Sequence, residues 1–197
     1  MLNLREYSET PTLLADYLPW ACLVAPGVVL NKDGSFQTIF KYRGPDLESS
    51  TDEELVSINA RVNNVLRRLG SGWALFFEAQ REPVHDYPDC AFPDAASWLV
   101  DQERGLQADE AGSRFESHYY LTLLWLPPAD ATGRAEKALI TRATTEDAAT
   151  WRHRLETFQS QAMRVFDLLA TCLAELVRLD DDGTLTYLHA TISTRRH

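Results

Sequence analysis

The sequence predicts an α+β fold: a mostly antiparallel sheet of about four strands, an N-terminal hairpin plus two central strands, packed by amphipathic helices. Three observations lead there. Strand-like apolar runs and helix-periodic runs follow one another in the order β-β-α-β-α-β-α-α. Asp33-Gly34 lies between the first two strand-like runs, a strong hairpin signal. Hairpin and crossover connections mix, which points to an α+β layer with a mostly antiparallel sheet.

Met1 to Trp20 has no clear period and carries a short apolar stretch from Leu13 to Trp20, so it reads as an arm. Ala21 to Leu30 and Ser35 to Arg43 are β-type runs joined by Asn31-Lys32-Asp33-Gly34, where Gly34 is expected at positive φ. Phe36, Thr38, Phe40 and Tyr42 share one face of the second run; polar residues alternate with them, so this strand is expected to be half exposed. Gly44-Pro45-Asp46 ends it. Thr51 and Glu54 form a capping box, and Leu55, Ile58, Val62, Val65, Leu66 and Leu69 follow at helical spacing up to Gly70. Trp73 to Ala79 is apolar on both faces, the mark of a central strand. Arg81 to Pro93 holds Pro83, Pro88 and Pro93 and reads as a loop; Asp94 then caps a helix through Ala95, Trp98, Leu99 and Leu106.

Glu116 to Leu126 is the second central strand, stopped by Pro127-Pro128. Ala129 to Thr150 is a polar connector. Trp151, Leu155, Phe158, Ala162, Val165, Leu169 and Leu176 lie on one long amphipathic helix. Asp180 to Gly183 reads as a turn, and Leu185, Leu188 and Ile192 as a last short helix. The expected organisation is thus an arm (1–20), an α+β sheet domain (21–128), a connector (129–150) and a helical segment packing on the sheet (151–197).

Composition narrows the function. The chain has 197 residues, 45% hydrophobic and 24% charged, enough for a core without disulfides. Its net charge of −10 argues against direct nucleic acid binding, which needs a basic face. Pro19, Pro26 and Gly27 break the longest apolar stretch, and Arg5, Glu6, Glu9 and Asp16 interrupt the N-terminus, so neither a membrane span nor a signal peptide is read; the chain is expected in the cytoplasm. Cys22, Cys90 and Cys172 are odd in number and far apart; Cys22 and Cys172 lie in apolar runs and are expected to be buried.

Motifs for chemistry are nearly absent. No glycine is followed by lysine, so the P-loop pattern is missing and no ATP hydrolysis is expected from these residues. The histidines never reach HExxH spacing, and no GxSxG elbow occurs. Cys90 near His85, Asp180 to Asp182, and Arg67, Arg68, Arg81, Arg195 and Arg196 are the residual candidates for a thiol–base pair, a cation site and a phosphate site. Each reads first as ordinary loop, turn or helix-end residues. No catalytic, cofactor-binding or metal residue is assigned.

Several blocks carry a family resemblance: Leu14-Ala15-Asp16-Tyr17-Leu18-Pro19-Trp20, Val24 to Gln37, Arg43-Gly44-Pro45-Asp46-Leu47, Leu69 to Ala74, Glu78-Ala79-Gln80-Arg81, Tyr120-Leu121-Thr122, Trp125-Leu126-Pro127-Pro128 and Leu185 to His189. As a set they resemble the N-terminal region of TrbE, the conjugal-transfer ATPase family of type IV secretion systems. The resemblance implies a parent ATPase whose ATP- and magnesium-binding motifs lie in a C-terminal RecA-like domain beyond this chain. It implies an interaction and assembly domain, peripheral to the inner membrane. The implied partners are inner-membrane components such as a TrbD-type small membrane protein, and the parent ATPase itself by self-association. Leu13, Leu14, Tyr17, Leu18 and Trp20 are the expected partner-binding residues: an arm without a period of its own must lie on something to hide them, its own sheet or the membrane partner. The alternative is a small self-contained α+β enzyme or ligand-binding domain, which predicts a concave site with perturbed acids or bases.

Overall fold

Two glycines at positive φ, Gly27 (62°) and Gly34 (82°), fold the first three strands into a meander: β1 (Trp20–Ala25), β2 (Val28–Asn31) and β3 (Phe36–Arg43). The computed structural model describes residues 13–84, 90–110, 114–128 and 145–193. Most of the expected arm, His85 and most of the expected connector therefore lie outside the described residues. Three further strands, β4 (Trp73–Val84), β5 (Arg114–Trp125) and β6 (Glu175–Arg178), complete one sheet in the order β1-β2-β3-β5-β4, with β6 also on β3. All neighbouring pairs are antiparallel.

The fold class is α+β, but the sheet has six strands rather than about four. Two causes account for the difference. Pro26-Gly27 turns the chain inside the apolar run 21–30 and makes two strands of it. The long helix, expected to reach Leu176, ends at Ala170, and Leu176 lies instead in β6, whose four residues alternate too briefly to show a period. The stretch Arg81 to Val84, expected in a loop, extends β4 instead.

Five helices accompany the sheet: α1 (Leu14–Tyr17), α2 (Asp52–Leu66), α3 (Ala95–Glu110), α4 (Thr145–Ala170) and α5 (Asp181–Ile192). α4 and α2 cover one face. Leu155, Phe158, Ala162, Val165 and Leu169, spaced alternately three and four apart, pack on Phe36, Phe40, Leu121 and Leu123. α5 covers the other face through Tyr187 and Leu188, which meet Val29 and Ile39. That second layer explains why β3 is buried on both faces where alternation suggested one: Ser35, Gln37 and Ile39 lie beneath α5's side of the sheet. Cys22, expected buried, is exposed on the marginal strand β1, and Cys172 is half-buried.

Signals written in neighbouring residues act as their spacing suggests. Thr51 Oγ1 accepts from the Glu54 N–H at 3.3 Å, and the Glu54 carboxylate accepts from the Thr51 N–H at 2.9 Å. Thr51→Ala removes one half of this box and should cost about 1 kcal/mol, measured as a shift of the urea midpoint at constant slope. At Gly34 an added Cβ would meet nothing within 4 Å, so only backbone strain opposes a side chain. Gly34→Val should therefore lose about 1–2 kcal/mol of stability; an unchanged thermal melt would refute the strain.

Candidate docking surface

The apolar N-terminal segment is held to the β2–β3 turn with Leu13, Leu14 and Tyr17 outward. Asp16 Oδ2 accepts from the Leu13 N–H at 3.0 Å and closes the single turn of α1. The Lys32 ammonium, in the β2–β3 turn, donates to the Ala15 carbonyl, and its backbone N–H donates to Pro19 O at 2.7 Å. Held so, Leu13, Leu14 and Tyr17 are 66%, 63% and 67% exposed. Leu18 is half-buried, and Trp20 packs against the Val29–Ile39 cluster. Of the five side chains expected to meet a partner, three point outward and Trp20 packs on the sheet.

A second apolar surface escapes sequence reasoning. α3 leaves Trp98, Leu99, Val100 and Leu106 exposed, although Asp94 caps it as expected: the Ser97 N–H donates to Asp94 Oδ1 at 2.8 Å. Phe76 and Phe77 on β4 are exposed as well. Phe77 borders an apolar groove of about 330 Å³ between α2 and the sheet, with Tyr42, Leu55, Ile58 and Val62. The signal available is the two-sided apolar run Trp73–Ala79, which reads as a central strand; β4 is instead at the sheet margin.

A set of polar side chains fastens α5 to the sheet. Tyr187 donates to Glu78 Oε2 at 2.6 Å, with Thr122 Oγ1 at 3.3 Å and the Tyr120 ring at 4.8 Å. Gln80 donates to the other Glu78 oxygen at 2.9 Å. Burial, aided by the bond to Glu78, pushes the Tyr187 phenol up to about 12. It stays protonated at neutral pH and ties α5 to β4 beside a cavity of about 430 Å³ that also meets Lys41 and His189.

The other sequence candidates resolve similarly. Asp180 caps α5 by accepting from the Gly183 N–H, and Asp181 accepts from the Gly27 N–H at 2.7 Å, so two of the three clustered aspartates serve as a cap and a tie. Arg67 closes α2, and Arg81 stacks 4.5 Å over the Phe115 ring. Cys90 is exposed; His85, Arg195 and Arg196 lie outside the described residues. Among the described residues, no group of three His, Cys, Asp or Glu side chains is placed to hold a metal, and no helix is long and apolar enough to cross a membrane.

Comparison with known proteins gives a consistent picture. Residues 27–133 match the family "Type IV secretion system ATPase VirB4/TrbE, N-terminal domain". The conjugal transfer protein TrbE of Rhizobium radiobacter is 35% identical over 177 residues, covering 88% of this chain. This chain spans only 22% of the length of that relative. A Sinorhizobium fredii protein, named as the first portion of a probable conjugal transfer protein TrbE, is 39% identical over 130 residues, 64% of this chain and 87% of that protein.

Proposed function

Because the chain belongs to the N-terminal-domain family of the type IV secretion ATPases VirB4 and TrbE, we propose that it is the docking and assembly module of a conjugal-transfer ATPase. It seats the ATPase on inner-membrane components, a small membrane protein of the TrbD type among them. ATP and magnesium act in a C-terminal domain of the parent, and this chain turns over no ATP by itself.

The observation that carries the docking role is the exposure of Leu13, Leu14 and Tyr17 on a segment that Lys32 fixes to the β2–β3 turn. A fixed segment presents its apolar side chains at little further ordering cost, which favours binding. A net charge of −10 makes a bare anionic bilayer a poor partner, since such lipids attract basic segments. A protein partner fits better, and the chain stays peripheral to the membrane.

Replacing Leu13, Leu14 and Tyr17 together by serine should abolish co-purification with the TrbD-type protein while leaving the circular dichroism spectrum intact. These side chains are exposed, so the fold should lose no more than about 0.5 kcal/mol per site. Full retention of the partner by a folded triple variant would move the docking surface elsewhere. Deleting residues 1–20 is a blunter test, because Trp20 contributes to the packing under α5.

A further inference from the structure

Strand β4 has the composition of a central strand in the position of an edge strand. From Trp73 to Phe77 it is apolar on both faces, yet it ends the sheet, and among the described residues no strand lies on its outer side. Phe76 and Phe77 point to opposite faces and are 55% and 57% exposed. A helix laid on one face would cover one of them. A strand added at the edge flanks both.

The opposite margin of the sheet is blunted in the usual ways. β1 has two register irregularities, and β6 is short and carries Glu175 and Arg178. β4, by contrast, runs for 12 residues in unbroken register with β5. The Leu126 N–H donates to Gly72 O at 2.8 Å, which makes these two a hydrogen-bonded pair. Alternation along an antiparallel ladder then turns the N–H and C=O of Trp73, Leu75, Phe77, Ala79 and Arg81 away from β5. The next residue in that outward row is Pro83, which has no N–H and so ends the row of donors.

We propose that this row receives the β4 strand of a second copy of the chain, antiparallel, across a two-fold axis normal to the sheet at Phe77. Such an axis keeps each face of the sheet on its own side, so only residues of the same face can oppose one another. Paired length and charge then select the register: centring on Phe76 or any earlier residue sets Gln80 and Arg81 opposite residues that precede the strand. Centring on Glu78 sets that carboxylate against its own copy, and centring on Gln80 sets Glu78 against Glu82; like charges directly opposite are unfavourable. Centring on Ala79 opposes Leu75 to Pro83 and leaves the Leu75 carbonyl without a donor. Centring on Phe77 opposes Phe77 to Phe77, Phe76 to Glu78 and Trp73 to Arg81, with Pro83 outside the paired stretch. Every residue from Trp73 to Arg81 is then paired, and both exposed phenylalanines gain a flanking strand.

The test is sedimentation velocity of the whole chain over a micromolar concentration series. The native chain should sediment as a concentration-dependent dimer. Phe77→Lys and Phe77→Glu, each folded by circular dichroism, should each lose the dimer, because the axis faces like charge with like. An equimolar mixture of the two should recover it as a heterodimer, which only a register opposing position 77 to itself allows. The serine triple variant of the arm should keep its dimer, so this surface and the docking segment are read separately. A monomeric native chain would overturn the proposal and leave the edge to an extended segment of another protein. Dimers in either single Phe77 variant, a mixture that stays monomeric, or loss of the dimer in the arm variant would overturn it too.

Discussion

Gly27→Ala is expected to lower stability by about 3 kcal/mol, more than any other single added methyl group considered in this chain. Two effects combine. The residue sits at φ 62°, where an alanine side chain costs about 1–2 kcal/mol. The new Cβ would also lie 2.3 Å from the Leu179 carbonyl oxygen, a backbone atom that cannot swing aside. Relief requires the β1–β2 turn to part from the segment joining β6 to α5. That joint is crowded with bonds: the Gly27 N–H donates to Asp181, Thr38 Oγ1 donates to the Gly27 carbonyl at 2.8 Å, Arg178 donates to Pro26 O, and the Leu179 N–H donates to Ile39 O. Parting it loses one or more hydrogen bonds, each worth roughly 1 kcal/mol. Gly34→Ala supplies the control, since it carries the same sign of φ with open space around it. Urea midpoints should separate the two variants clearly; equal losses would show that the Leu179 contact yields freely.

What can be read from the sequence divides along the range of the interactions. The α2 capping box is written in four consecutive residues, and the α4 stripe in one repeating spacing, so both are legible. The Gly34 turn is legible for the same reason. Long-range facts are not. Nothing near Gln37 or Ile39 announces that α5, some 150 residues later, covers their face. Pro83 suggests a loop because a proline interrupts most strands, but an outward position on a marginal strand tolerates it. Cys22 looks buried by its neighbours, and its exposure follows from the place of β1 at the other margin.

The N-terminal segment shows the same division more finely. Its apolar content is visible in the sequence, and so is its lack of a period. Which of its side chains face outward is not, because Lys32 sets that through contacts with Ala15 and Pro19 from the following turn. The composition of β4 is also visible, but its meaning reverses. A two-sided apolar run argues for strands on both sides, and the described fold provides only one of them.

Phe158→Ala is expected to lose about 3–5 kcal/mol, the range for truncating a buried aromatic in a packed core. Phe158 is fully buried on α4, with ring centroids 5.7 Å from both Phe36 and Trp73 and 6.5 Å from Trp125. These rings come from α4, β3, β4 and β5, so one side chain joins the helix to three strands. Two large indoles and a phenylalanine cannot all slide into the vacated space without leaving their own contacts, which places the cost toward the upper part of the range. For a chain of this size such a loss lowers the thermal midpoint by roughly 6–20 °C. Trp73 and Trp125 also report the event directly, since their fluorescence should shift red as the cavity loosens. Phe76→Ala, at an exposed site, should stay within about 0.5 kcal/mol of the native chain when measured at concentrations where it is monomeric. If the two variants melted together, the aromatic cluster beneath α4 would not be what fastens that helix to the sheet.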